Sequence, residues 1–265
     1  MAFDFSSMKK LAEGKTKIIY ENPSDPKTVY MAFKDDITAG DGVKHDVIHC
    51  KALVDWKTNR YIYEYLNRKG MRTHYVSSPA EKVCLVKKLD FKINLEVVSR
   101  RVAAGSILKW GKVKEGDYYD PPITQFHYKD DPLHDPMLDD AYVDFIIKNK
   151  QDGLMYADMR KLNAEVLLLL EAAFTHFGVQ LVDLKLEYGL IGGEATIIDE
   201  ITGGSFRLWP YAKAKPSFKK KNVLSELNPS GRLDKDTYRL GGDLGQVQSK
   251  FEEIAKITEG FKNLN

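Results

Sequence analysis

The sequence predicts an α/β protein of the α+β kind in two lobes, an antiparallel sheet with one long helix followed by a larger α/β portion. Three observations predict it. The 265 residues are enough for two modest domains. The chain opens on strand-like runs joined by turn residues, and a second pair of strand-like runs lies at residues 181–201. Two long stretches of helical periodicity separate and flank them.

In chain order, Lys17 to Tyr20 and Thr28 to Phe33 read as strands across a turn rich in Asn, Pro, Ser and Asp, from Asn22 to Pro26. From His45 to Lys69 the apolar residues Ile48, Ala52, Trp56, Tyr63 and Leu66 recur at helical spacing, and Gly70 stands where a helix ends. Short apolar strands follow at Val83 to Val86 and Leu95 to Val98. The polar segment Lys87 to Asp90 between them marks the crossing from one lobe to the other, giving residues 1–88 and 89–265. A second helix spans Asp158 to Phe177, with Met159, Leu162, Val166, Leu169, Leu170, Phe174 and Phe177 as its buried stripe and Gly178 as its cap.

Strict alternation from Leu181 to Gly189 places Asp183, Lys185 and Glu187 on one strand face and Val182, Leu184, Leu186 and Tyr188 on the other. A solvated face is the ordinary explanation of such charges. The chain then turns through Gly192, Gly193 and Glu194 into a second strand-like run, Ala195 to Ile201, so a hairpin is expected. A three-residue loop opposes Glu187 to Asp199, and two facing carboxylates call for a cation such as Mg²⁺ between them. A two-residue loop opposes Glu187 to Ile198 instead.

Other segments carry weaker signals. Glu13 to Lys17 combines a glycine with Lys15 and Lys17 on one strand face, which suits phosphate, although the spacing is not that of a P-loop. Ala39 to Gly42 sets Asp41 among glycines ahead of the first helix. Arg100 to Ser106 brings guanidinium groups, a glycine and a hydroxyl together, as bidentate recognition of phosphate or carboxylate requires. Arg207 follows Asp199 closely enough to share its cleft. His134 to Met137 lacks a second histidine at ligand spacing, and Asp234 to Arg239 reads as a charged surface turn.

Forty basic against thirty-eight acidic residues remove the electrostatic footprint of a nucleic-acid binder. Cys50 and Cys84 are too few for a disulfide framework or a cysteine zinc site, which fits a reducing compartment. No signal-peptide layout is visible, and no apolar run approaches the roughly 18 residues of a membrane span, so a cytoplasmic protein without membrane association is expected.

Taken in order, these segments resemble the SAICAR synthetase family of purine biosynthesis. The resemblance runs from Glu13–Lys17 through Ala39–Gly42, Leu95–Ser106, His134–Met137, Leu181–Gly189, Asp199–Glu200 and Ser205–Trp209 to Asp234–Arg239. It implies a two-lobed fold with ATP in the cleft, and ATP- and Mg²⁺-dependent joining of L-aspartate to the carboxylate of 5-amino-1-(5-phosphoribosyl)imidazole-4-carboxylate. It further implies that Lys15 and Lys17 meet ATP phosphates and that the backbone from Val86 to Lys88 receives adenine. Arg100, Ser106 and Arg207 then bind the imidazole nucleotide, Asp183 and Lys185 line the reacting centre, Glu187 and Asp199 hold Mg²⁺, and Asp41 serves the aspartate end. A homodimer is also implied. Asn94 stands where the family commonly has proline, and Pro210 to Leu233 is longer than in compact members and is expected to be a surface excursion. The rival readings are an ATP-dependent kinase or another ligase on the same plan, and a nucleotide-binding regulatory module without turnover.

Overall fold

A computed structural model describes residues 3–39, 44–148, 155–213 and 221–265. The chain begins with β1 (Lys10–Glu13), β2 (Lys17–Glu21) and β3 (Thr28–Phe33), continues through the small hairpin of β4 (Asp36–Ala39) and β5 (Lys44–Val47) to helix α1 (Lys51–Arg68), and returns as β6 (Tyr75–Ala80) and β7 (Val83–Lys87). These form an antiparallel sheet in the order β1-β2-β3-β7-β6, apart from the β4–β5 pair. The helix expected from His45 starts later, at Lys51, because Lys44–Val47 is held in the ladder with Asp36–Ala39. Its cap comes from a distance: the Ala52 N–H donates to Asp35 Oδ1 at 2.7 Å, relieving one of the free donors of the first turn.

The second sheet is built from β8 (Phe91–Val102), β9 (Tyr118–Tyr128) and β10 (Met137–Leu138). After helices α2 (Asp140–Lys148) and α3 (Met155–His176) come β11 (Val179–Ile191), β12 (Glu194–Ile198) and β13 (Phe206–Pro210). Its order is β10-β9-β8-β11-β12, and β13 also pairs with β11. Two short segments therefore share one edge of β11: β12 covers Glu187–Ile191 and β13 covers Val179–Leu184. Between them residues 199–205 leave the sheet as a bend beside the middle of β11, anchored where the Lys185 N–H donates to Ser205 O at 2.8 Å.

Helix α3 buries Met159, Leu162, Val166, Leu170 and Phe174 as its spacing predicts, and Leu169 and Phe177 pack partly buried at the margin. Leu184, Leu186 and Tyr188 of β11 join the same core. Val182 does not: the pairing with β13 slips between Leu181 and Asp183, and Val182 falls into a second apolar cluster with Val102, Ala104 and Trp209. That cluster corrects the reading of Pro210–Leu233 as a surface excursion. Val223 and Leu227 are buried in it, Leu233 is buried in the main core, and Asn222, Leu227 and Leu233 bridge to Asp117, Tyr211 and Leu208. Beyond it, α4 (Asp236–Arg239) and α5 (Leu244–Glu259) close the chain, and Val247, Phe251 and Ile254 of α5 bury into the main core shared with α1.

Candidate active site

Two residues of the charged β11 face, Lys185 and Glu187, line a cleft of about 510 Å³ together with Gly14–Lys17 from the first sheet and Lys92, Glu96 and Lys129 from the second, whereas Asp183, Arg100, Ser106 and Arg207 stand outside its lining. The bend contributes Asp199, Glu200 and Ser205, and the C-terminal part contributes Lys235 and Arg239. Such a volume suits a nucleotide-sized ligand.

The hairpin register follows the shorter alternative. Gly192 and Gly193, both at positive φ, make a two-residue turn, and Glu187 is opposite Ile198 rather than Asp199. The carboxylate directly opposite Glu187 belongs to Glu96 on β8. Asp199 reaches the same cleft by another route: it stands one residue beyond the ladder at φ 69°, which turns the chain out of the strand. The two side chains still feel each other. Burial and the Asp199 carboxylate push the Glu187 carboxyl above its ordinary value. Burial acts against ionisation of Asp199 as well, but Lys17 overrides it and holds that carboxyl well below the ordinary range.

Lysines compensate this acidic centre. Lys17 pairs with Asp199 and Glu200, and Glu200 also accepts from the Thr16 hydroxyl at 2.6 Å. Lys129 pairs with Glu187, Lys92 Nζ stands 3.1 Å from Glu187 Oε2, and Lys185 Nζ donates to Glu96 at 2.6 Å. The Lys92 approach is an ion pair without hydrogen-bond alignment, so Glu187 Oε2 is buried with no hydrogen-bond donor. A buried carboxylate oxygen held only by an ion pair, with the Asp199 charge close enough to act on it, fits a hard cation that takes one or two protein carboxylates and completes its shell with phosphate and water. Among the described residues no cluster of three or more His, Cys, Asp and Glu side chains is arranged to hold a metal by itself.

The other end of the β11 face is a ladder of alternating charge. Asp183 is directly opposed by Arg100 on β8 and by Arg207 on β13, which donate to Asp183 Oδ2 at 2.8 and 2.6 Å. Arg207 turns its other edge to Asp236 at 2.8 and 3.2 Å, and Arg239 donates to the same carboxylate at 2.5 Å. Against the cost of burial, these two arginines hold Asp236 down at about 2. Arg100 also donates to Ser106 Oγ at 3.1 Å. Gly105, at φ 66°, makes this packing possible, since a Cβ there would stand 2.6 Å from the Arg207 guanidinium. Arg101 is not part of the site; it points away to Glu171.

Asp234–Arg239 is therefore no surface turn. Asp234 and Tyr238 are buried, and Lys235 lies in the cleft, where burial and the neighbouring Arg239, Lys51 and Lys185 push its ammonium down to about 7. Of the remaining expectations, Lys15 lines the cleft, whereas Val86 and Lys88 do not. The N–H groups of Lys87 and Lys88 already donate to His74 O and Lys27 O, at 2.7 and 2.8 Å. Asp41 lies outside the described residues. Lys92, Glu96, Lys129 and Lys235 were not anticipated. Period-2 spacing did carry a signal for two of them, because Lys92, Glu96 and Arg100 alternate along one face of β8. Lys129 comes from a loop end and Lys235 from a segment whose burial only the fold decides.

No described helix is long and apolar enough to cross a membrane. The SAICAR synthetase family profile matches residues 10–258. A phosphoribosylaminoimidazole-succinocarboxamide synthase of Herpetosiphon aurantiacus is 38% identical, over 96% of this chain and 98% of its own length. The crystal structure of the corresponding synthase from Ehrlichia chaffeensis superposes with a TM-score of 0.80 at 32% identity, covering 95% of this chain and 98% of that one. A SAICAR synthetase solved in complex with ADP gives a TM-score of 0.78 at 31% identity, over 94% and 97% of the two chains. With its cleft, its charged β11 face and near-complete coverage of these relatives, the chain belongs to the SAICAR synthetase family, ATP-dependent ligases of purine biosynthesis.

Proposed function

We propose that this protein joins L-aspartate to the carboxylate of 5-amino-1-(5-phosphoribosyl)imidazole-4-carboxylate through an acyl phosphate, with Mg²⁺ held by Glu187 and Asp199. The observation that carries the reading is the single face of β11, on which Asp183 stands in the guanidinium ladder and Lys185 and Glu187 follow it into the cleft. One end suits the nucleotide's phosphate, the other suits ATP phosphates and their cation, and Lys185 stands between them.

A carboxylate resists attack by an amine, so its oxygen first takes the γ-phosphoryl group and ADP leaves. The aspartate nitrogen then adds to the acyl carbon, the C–O bond to phosphate breaks, and the amine gives up a proton. Positioning and charge neutralisation account for the catalysis of such steps. Arg100, Ser106 and Arg207 bind the nucleotide's phosphate, with Asp183 and Asp236 fixing the guanidinium planes. Lys185 holds the reacting carboxylate. Lys15 and Lys17 meet the ATP phosphates, Lys17 exchanging its carboxylate partners for them. Glu187 and Asp199 would hold the Mg²⁺, which would supply charge neutralisation for the phosphoryl transfer. Adenine lies at the Val86–Lys88 edge, where carbonyl oxygens are its acceptors because the Lys87 and Lys88 N–H groups are engaged. Asp41 is assigned to the aspartate end on the family resemblance alone. A homodimer belongs to the same reading and is checked by light scattering.

The test is ADP release with ATP, Mg²⁺ and the imidazole nucleotide, with and without L-aspartate, followed beside SAICAR absorbance. Release that needs every component and tracks product supports the ligase. Release indifferent to aspartate makes the protein a kinase or ATPase.

A further inference from the structure

The bend that brings Asp199 and Glu200 to the cleft is gripped from behind. After the last paired residue of β12, Ile198, the chain enters left-handed backbone at Asp199, a conformation uncommon among residues with a Cβ and one that aspartate tolerates better than most, so contacts around it decide whether it is kept. Two side chains of α1 face this point, Asn59 and Tyr63, one helical turn apart and both fully buried. The Tyr63 hydroxyl donates to Asp199 O at 2.8 Å, and the Ile201 N–H donates to Asn59 Oδ1 at 2.9 Å. They bracket the turn, one taking the carbonyl of its first residue and the other the amide of its third. Within the bend, Ser205 Oγ donates to Glu200 O at 3.2 Å and the Glu200 N–H to Asp199 Oδ1 at 2.8 Å.

A buried tyrosine hydroxyl and a buried asparagine need partners in any protein. Here both partners are backbone groups of one three-residue segment, and that segment aims two carboxylates at the cleft. α1 belongs to the part of the chain built around the first sheet, whereas the bend belongs to the second, so the grip joins the two across the site.

We infer that Asn59 and Tyr63 are positioning residues that impose the left-handed bend at Asp199 and thereby set its carboxylate against Glu187 for a divalent cation arriving with nucleotide. The inference rests on the assignment of Glu187 and Asp199 to Mg²⁺. Neither residue touches substrate; each acts through the backbone of residues 199–201.

The measurement is calorimetric ADP binding in Mg²⁺ and in EDTA, the ratio of the two affinities reporting the metal's contribution without turnover. Tyr63→Phe, which removes only the hydroxyl, lowers that ratio about five- to tenfold, the cost of one lost buried hydrogen bond. Its EDTA affinity and circular dichroism stay those of the wild type. Asn59→Ala moves the ratio in the same direction and carries the test if Tyr63→Phe does not fold. A wild-type ratio in either folded variant, whatever its melting temperature, reduces that side chain to a structural role and overturns the inference for it. Asp199→Asn separates the two layers. If it abolishes the ratio while Tyr63→Phe leaves it whole, the positioning role fails alone. If Asp199→Asn itself keeps the wild-type ratio, the metal assignment fails and the positioning role falls with it.

Discussion

The two ends of the β11 face solve the same electrostatic problem differently. Around Asp183 the charges alternate, Arg100, Asp183, Arg207, Asp236, Arg239, in a chain of hydrogen bonds of 2.5 to 3.2 Å between planar groups. Around Glu187 the acids cluster. Glu96 opposes it across the ladder, Asp199 repels it, and the compensating Lys92 and Lys129 reach in from half-exposed positions. A guanidinium locked between carboxylates is a fixed template for a phosphate. An ammonium on a flexible stem can leave its carboxylate for a phosphate, and the carboxylate it leaves can accept a metal. On the proposed reading, the first end would hold its ligand and the second would exchange partners.

The sharpest way to break this contrast is at the acidic end. On the proposed assignment of Mg²⁺ to these two carboxylates, Glu187→Gln and Asp199→Asn each lower kcat at least about 100-fold. Near-normal rates in both, with circular dichroism unchanged, remove them from that role.

At the rigid end the larger cost is to stability. Arg207→Ala strips Asp183 and Asp236 of a shared partner, but each keeps one arginine, Arg100 and Arg239, so the cost is that of the lost charge-assisted hydrogen bonds, about 2 kcal/mol, read as a fall in the urea midpoint. KM for the imidazole nucleotide rises while KM for ATP holds. A selective loss of ATP affinity assigns Arg207 to the wrong substrate. Arg207→Lys recovers little, because one ammonium cannot span both carboxylates.

Lys235 sharpens the comparison through pH. Its folded value near 7 lies below the ordinary 10.5, so between these limits the unfolded chain binds the extra proton and stability rises with pH. An anion arriving beside it restores the ammonium. Nucleotide binding at pH 8 therefore takes up a fraction of a proton, measured by calorimetry in buffers of different ionisation enthalpy, and Lys235→Met loses that uptake. Absence of uptake in the wild type shows that the bound anion stays clear of Lys235.

The smallest effect belongs to Lys92→Met. A half-exposed ion pair contributes below about 1 kcal/mol, so nucleotide affinity falls only a few-fold, and the difference shrinks as salt is raised. A loss as large as that of Arg207→Ala erases the distinction between exchanging and fixed partners.

Most of the second sheet's functional face was legible because strand periodicity is rigid: once Leu181–Gly189 is a strand, Asp183, Lys185 and Glu187 must share a side. The pairing was not legible to the same degree. A one-residue change in turn length moves Glu187 from Asp199 to Ile198, and the correct partner, Glu96, lies about ninety residues earlier on a strand whose register no local pattern fixes. Asp199 still reached the site, for a reason the spacing argument did not contain.

The sequence by itself determined β2, β3, β7, β8, β11 and β12, the helices α1 and α3, the charged face of β11 and the family to which its motifs belong, because each rests on local periodicity or on residues close together in the chain; β9, β13 and α5 were not legible in it. Only the tertiary structure decided that Lys92, Lys129 and Lys235 line the cleft, that Asp236 is buried between arginines, and that Tyr63 and Asn59 grip the bend at Asp199. Those relations depend on which surfaces the packing of two sheets and α1 removes from water, and burial turns an ordinary lysine or tyrosine into part of a site.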